Sequence, residues 1–284
     1  MTVSEVAHHL GITRSTCTAI LDTLEAVQWV ERLTDRSYQP GPGLIPVANA
    51  VRRRLPILSA AEPIMRALAE RTAAEAVTLS RVDNGFLTLV EKTARRPSPF
   101  APPSFRLPMF PPFGASCAAF DSDTDRQQWL EQVDDPAVRD HLRSVLDTAR
   151  RLGVVVWRLD RSGQLLQDAV STSDEMAPTL GLHRGEAASD RRIAALSLAL
   201  GRAGHSSEEL RPEAAPFAVS YIAGTVFDDV ARPCYVIELH VLRTDVSYGE
   251  LQTLVTRVRE ASDELTATCG GDPDAFTWAS VSDR

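Results

Sequence analysis

The chain has 284 residues, 38 acidic against 30 basic side chains, a net charge of -8 and 44% hydrophobic residues, enough length for about two domains and enough apolar content for a sizeable core. This balance excludes global disorder. No apolar stretch approaches the roughly 18 residues that cross a bilayer and no basic-then-apolar leader opens the chain, so it reads as cytoplasmic, with no membrane partner.

The charge is unevenly spread. Residues 1–54 carry six arginines against five acids, which leaves the acidic excess on residues 55–284, so only the head suits an anionic polymer. Thr2-Val3-Ser4-Glu5 has the spacing of a capping box. It predicts a helix with Val3, Val6, Ala7 and Leu10 on its apolar face, stopped at Gly11. Thr13 then caps a second helix to about Val27, with Cys17, Ile20, Leu21 and Leu24 at three- and four-residue steps. Trp29 to Leu33 and Ser37 to Gln39, joined by Thr34-Asp35-Arg36, read as a short hairpin. Residues 40–56 form a connection that becomes helical before Pro56, and the domain boundary falls near 55.

The body opens with a helix carrying Ile57, Ala61, Ile64, Met65, Leu68 and Ala69 on one face. Val77 to Val82 and Phe86 to Val90 flank Asp83-Asn84-Gly85, a strong hairpin signal. Residues 97–112 hold seven of the 18 prolines and predict a long loop. Helices at about 123–132 and 136–151, a strand at 154–159, a polar stretch to about 185 and a helix at 191–202 follow. Strands at 221–227 and 234–242 and a helix at 250–268, ended by Gly270-Gly271, complete the domain at about 271. Residues 272–284 read as a polar tail. The cysteines at 17, 117, 234 and 269 show no C-x-x-C and no short spacing to histidine, so they read as reduced thiols without a metal or disulfide framework, and no cofactor is implied.

Ala7, Gly11 and Cys17 form the most informative constellation. Two helices crossing through a tight turn need a small residue at the contact, glycine in the turn and a small apolar residue facing back. With Ile12 and Ile20 completing the seam, the outer face of the second helix presents Thr13, Arg14, Ser15, Thr16, Thr18 and Ala19, short donors and one arginine suited to phosphates and base edges. Arg36 at the hairpin tip would touch the neighbouring backbone as a wing does. Some winged helices bind protein instead, and that alternative stays open here.

On these residues the sequence resembles the IclR family of bacterial transcription regulators. The head is similar in Ser4-Glu5-Val6-Ala7, Leu10-Gly11-Ile12, Arg14-Ser15-Thr16, Leu21 to Glu25, Val30-Glu31-Arg32 and Tyr38 to Pro42. The body is similar in Val90-Glu91-Lys92, Arg106 to Met109, Phe113-Gly114, Arg151-Leu152-Gly153 and Ile222 to Phe227. The resemblance implies an α+β chain: a winged helix-turn-helix joined by a linker helix to a GAF-like, antiparallel-sheet effector domain. It further implies a homodimer or homotetramer that binds double-stranded DNA at an imperfect palindrome, responds to a small molecule and represses by default.

Three features depart from the family pattern. The family has a further helix before the one that begins here at Thr2, without which Val6, Leu10, Ile20 and Leu24 would lack part of their cover. After Leu107-Pro108, where the family carries His, Thr and Lys, this chain has Phe110-Pro111-Pro112-Phe113-Gly114-Ala115, which favours an apolar or aromatic effector. An insertion of about 50 residues, 161–212, could cover a pocket or extend an interface. Candidate effector contacts are Phe110, Phe113, Gly114, Ser116, Trp157 and Tyr221, although the aromatic residues could equally be core. Loss of DNA binding, leaving a ligand-sensing or protein-interaction module, is the alternative function. A serine hydrolase using Ser116, with His141 or His240 as base, is the weakest reading, because the elbow-like Gly114 to Ala118 follows a proline-rich loop where an elbow follows a strand.

Overall fold

In the computed structural model, residues 1–94, 106–158 and 201–281 are described. The polar stretch after residue 159, most of the helix expected at 191–202 and most of the 161–212 insertion lie outside them. The chain divides into two compact units, residues 1–59 and 60–284.

The first unit holds α1 (Val3–Leu10), α2 (Arg14–Ala26), β1 (Val30–Arg32), β2 (Tyr38–Pro40) and α3 (Leu44–Arg54). The capping box forms as expected: the Glu5 carboxylate accepts from the Thr2 N–H at 2.7 Å and the Thr2 hydroxyl accepts from the Glu5 N–H at 3.4 Å. Gly11 ends α1 in the left-handed region at φ 63, where a Cβ would be strained. Ala7, Cys17, Leu21 and Tyr38 form the core, with Val3, Val6, Ile12 and Val30 against it. Two of the four residues expected to lack part of their cover are open: Leu10 is 59% and Ile20 47% exposed. For Ile20, expected also to complete the helix seam, the reason is angular. The buried centre of α2 lies between Cys17 and Leu21, and at 100° per residue Ile20 sits about 80° away from it. Most of the 40–56 connection is α3, which ends at Leu55 because the residue before Pro56 avoids helical angles.

α4 (Pro56–Thr72) leads into the second unit, and all six residues of its expected apolar face are buried. A six-stranded antiparallel sheet follows, in the order β5-β4-β3-β8-β7-β6: β3 (Ala76–Asp83), β4 (Phe86–Ala94), β5 (Arg106–Pro108), β6 (Val154–Arg158), β7 (Phe217–Phe227) and β8 (Pro233–Val246). Asn84 and Gly85 make the β3–β4 turn with φ 48 and 77, as Asn-Gly predicts. The proline-rich loop differs from expectation at its end, where Arg106–Pro108 pairs with β4 as the outermost strand. Only an edge tolerates a proline that cannot donate to a ladder.

One face of the sheet is covered by α5 (Ala115–Ala118), α6 (Asp123–Glu131) and α7 (Pro136–Leu152), whose Trp129, Leu130, Leu142, Leu146 and Ala149 join Val155, Trp157, Ala223 and Val236 in one cluster. α7 is fixed at both ends: Asp135 accepts from the Ala137 and Val138 N–H groups, and Gly153 turns left-handed at φ 74. The opposite face receives α8 (Tyr248–Thr268), whose Val258 and Ser262 abut Gly224 of β7. The architecture is the expected α+β class.

The expected polar tail is a correction. Phe276 stacks on Trp278 at 5.2 Å between centroids, and both meet Phe120. The Ala279 N–H donates to the Arg151 carbonyl at 2.8 Å, and Arg259 donates to the Ala279 carbonyl at 2.8 Å. A Cβ on Gly153 would stand 2.8 Å from the Trp278 ring, so that glycine serves both the helix cap and the docking of the segment. Two aromatic rings within a polar sequence supply the burial that anchors it.

Candidate nucleic-acid interface and buried polar cluster

In the head, Ala7 and Cys17 are buried at the α1–α2 crossing and the Cys17 thiol points at the Val3 carbonyl, 3.6 Å away. This contact turns the other side of α2 outward: Thr13, Arg14, Ser15, Thr16 and Ala19 are exposed and Thr18 is half-buried. Thr13 caps the helix through the Thr16 N–H at 3.2 Å, and its hydroxyl lies 3.0 Å from that of Ser15 and 2.8 Å from that of Thr16. The Thr18 hydroxyl donates to the Arg14 carbonyl at 2.9 Å, so its oxygen remains an acceptor. Three hydroxyls and Arg14 therefore gather at a helix N-terminus, whose free N–H groups favour an anion. Arg36 occupies the hairpin tip, exposed and left-handed at φ 67. Its conformation is braced by Asp35, whose carboxylate accepts from the Ser37 N–H at 2.9 Å. His8 and His9 are both exposed.

In the body, the candidate residues separate into two groups. Phe110 and Phe113 are buried and meet edge to face at 5.1 Å, outside the cluster that holds Trp157. Gly114 opens α5 with φ 79, tight against Met109. Ser116 is buried within α5, and its carbonyl accepts from the Thr225 hydroxyl at 2.8 Å. The neighbouring Cys117 thiol is pushed up to about 12, chiefly by burial, the opposite of an activated nucleophile.

Trp157 and Tyr221 are register partners on β6 and β7 and stack at 5.7 Å. The stack continues to His240 on β8, 5.6 Å from Tyr221. There it meets a polar cluster that sequence reasoning missed. The Thr78 hydroxyl donates to Glu238 at 2.9 Å and lies 3.1 Å from His240 Nε2, while Glu238 Oε2 and His240 Nε2 are 3.8 Å apart. Lys92, the sole lysine, is the register partner of Thr78. The available signal was the i, i+2 spacing of Glu238 and His240 inside the apolar run Val236 to Val241, which puts both on one sheet face.

Burial pushes Glu238 up to about 6, partly offset by the Thr78 hydrogen bond. Burial first, and then the Lys92 charge, push His240 down to about 3. His240 is therefore a neutral imidazole at neutral pH and Glu238 is a half-buried carboxylate, beside a Tyr221 phenol held protonated by burial. Such a site offers acceptors and stacked rings, suited to an aromatic molecule bearing a polar hydrogen. Among the described residues, no group of His, Cys, Asp and Glu is placed to hold a metal ion, and no helix is long and apolar enough to cross a membrane.

No protein-family model matches the sequence, and no curated protein does. Solved structures do match in fold. An IclR transcriptional regulator from Alicyclobacillus acidocaldarius aligns with a TM-score of 0.62 at 16% identity, over 95% of this chain and 90% of its own. The Thermotoga maritima IclR aligns at 0.57 and 16% identity, over 95% and 91%. An IclR homolog from Microbacterium hydrocarbonoxydans, complexed with 4-hydroxybenzoate, aligns at 0.59 and 18%, over 94% and 90%. Over nearly its whole length, then, this chain shares the fold of the IclR transcriptional regulators.

Proposed function

We propose that the chain is a DNA-binding transcription regulator whose body binds a small aromatic effector. The observation that carries this reading is the exposed N-terminal turn of α2, with Thr13, Arg14, Ser15 and Thr16 outward across a helix-turn-helix crossing. Two copies, as a homodimer or a pair of dimers, present α2 to successive major-groove faces of an imperfect palindrome, with half-sites about one helical turn apart. Arg14 and the hydroxyls, Thr18 among them, take phosphates and base edges, Ala19 a thymine methyl, and Arg36 the adjoining backbone.

In the body, the effector ring lies along the Trp157–Tyr221 stack and its polar group meets Glu238 and His240, beside α5 at Gly114 to Ser116, while Phe110 and Phe113 form a separate buried pair. The ring and hydroxyl of 4-hydroxybenzoate, bound by one structural neighbour, have this chemistry. The effector changes DNA affinity by as much as it prefers one dimer arrangement over the other. Repression is the default direction, and the cytoplasm the place.

The test is binding of the chain to its own promoter region across a salt series. A steep fall of affinity with salt is expected from phosphate contacts. Affinity without salt dependence, or none, would overturn the DNA reading and leave a ligand-sensing or interaction module.

A further inference from the structure

The β7–β8 register slips at three points, and at the last of them Val226 faces Tyr235 and Phe227 faces Pro233. Cys234 is thus the extra residue of a bulge, with its sulfur 3.4 Å from the Val226 carbonyl. Cys269 caps α8 at its C-terminus, its N–H shared between the Leu265 and Thr266 carbonyls at 3.0 Å each. The following Gly270 bridges back to Asp228, at the start of the turn that leads to Cys234. Thr266 adds a second tie, its hydroxyl accepting from the Phe227 N–H at 3.1 Å. Held from both sides, the two thiols are neighbours close enough to shift each other's pKa, and both are partly exposed.

We propose that Cys234 and Cys269 are a redox-sensitive dithiol that a hydroperoxide oxidises to an intramolecular disulfide. Local contacts assign the roles. The Cys234 thiol donates to the Val226 carbonyl at 3.4 Å, which keeps its proton in place, while the neighbouring Cys234 thiol lowers the pKa of Cys269 against the opposing effects of burial and Asp228. Cys269 is the attacking thiolate. It takes the terminal oxygen of the peroxide as the O–O bond breaks, giving a sulfenic acid, and the departing hydroxide or alkoxide takes up the proton that Cys269 lost. The Cys234 sulfur then attacks the sulfenic sulfur. The S–S bond forms, the S–O bond breaks, and hydroxide leaves with the Cys234 proton as water. Two thiols give up two electrons and two hydrogens, and the peroxide is reduced to two waters, or to water and an alcohol. Cys17 and Cys117 are buried and serve as controls in the same molecule. The product clips the end of α8 to the β7–β8 turn.

The experiment treats the full chain with hydrogen peroxide, alkylates the remaining thiols after denaturation and reads masses intact and after digestion. The expected result is a loss of two hydrogens, with Cys234 and Cys269 in one linked peptide that dithiothreitol separates. In Cys234→Ser the Cys269 sulfenic acid should persist and be trapped by dimedone. In Cys269→Ser, oxidation at Cys234 should slow by about tenfold or more at the same dose, with circular dichroism unchanged. Oxidation of Cys17 or Cys117 first, disulfides only between chains, or an undiminished rate in Cys269→Ser would each overturn the proposal.

Discussion

Replacing Glu238 with glutamine tests the electrostatics of the buried cluster directly. The carboxyl is 22% exposed, accepts from the Thr78 hydroxyl, and is pushed by burial from 4.5 to about 6. A folded pKa above the unfolded one means that the group's stabilising contribution is complete below about 4.5 and is lost as pH rises through about 6. Ionised Glu238 therefore costs the fold about 1–2 kcal/mol at pH 7.5, after allowing for its partial exposure. Glutamine keeps an acceptor for Thr78 and carries no charge at any pH. Glu238→Gln should be more stable than the parent by about 1–2 kcal/mol at pH 7.5 and equal to it near pH 4.5. Urea unfolding of both proteins at both pH values, followed by tryptophan fluorescence, supplies the comparison. A difference that does not change with pH, or a less stable glutamine variant at pH 7.5, would show that the carboxylate is held by a cation and refute the reasoning.

Further expectations follow from other parts of the molecule. His240, pushed down to about 3, gives stability that is present above about pH 6.5 and lost as pH falls towards 3, so His240→Asn should flatten the stability loss between pH 6.5 and 4 in the same unfolding series. Trp278→Ala, which removes the ring stacked on Phe276 and seated against Gly153, should cost about 3 kcal/mol and expose the terminal segment to protease; unchanged protection would mean the segment is not docked. Leu146→Ala, in the fully buried seam of α7, should cost about 2–5 kcal/mol in urea unfolding. Arg14→Ala should weaken promoter binding and lower the salt slope by about one while leaving the melting temperature unchanged; an unaltered slope would remove Arg14 from the phosphate contacts.

Much of the local structure was legible because its causes are local. The Thr2–Glu5 box, the Asn84-Gly85 turn and the face from Ile57 to Ala69 each depend on hydrogen bonds or periodicities a few residues long. Thr13, Arg14, Ser15 and Thr16 were legible as an outward face for the same reason, since Ala7, Gly11 and Cys17 mark the opposite side. Leu10 and Ile20 were legible as apolar positions lacking part of their cover, but Ile20 does not complete the helix seam, because periodicity gives the spacing of an apolar face and not the width that a partner covers. β5 was hidden by its prolines, whose meaning depends on whether the strand lies at an edge. Phe276 and Trp278 were read as part of a polar tail because their partners, Phe120 and Phe227, lie far back in the sequence.

The sequence by itself determined where helices begin and end, which turns reverse the chain and which side of α2 faces outward, because capping groups, glycine conformations and helical periodicity act over a few residues. Only the tertiary structure decided that Thr78, Tyr221, Glu238 and His240 share one buried site, and that Cys234 meets Cys269. Those meetings depend on strand register, the order β3-β8-β7 and the bulge at Cys234. Register is set by the burial of whole faces across distant strands, a global sum to which no short window of sequence has access.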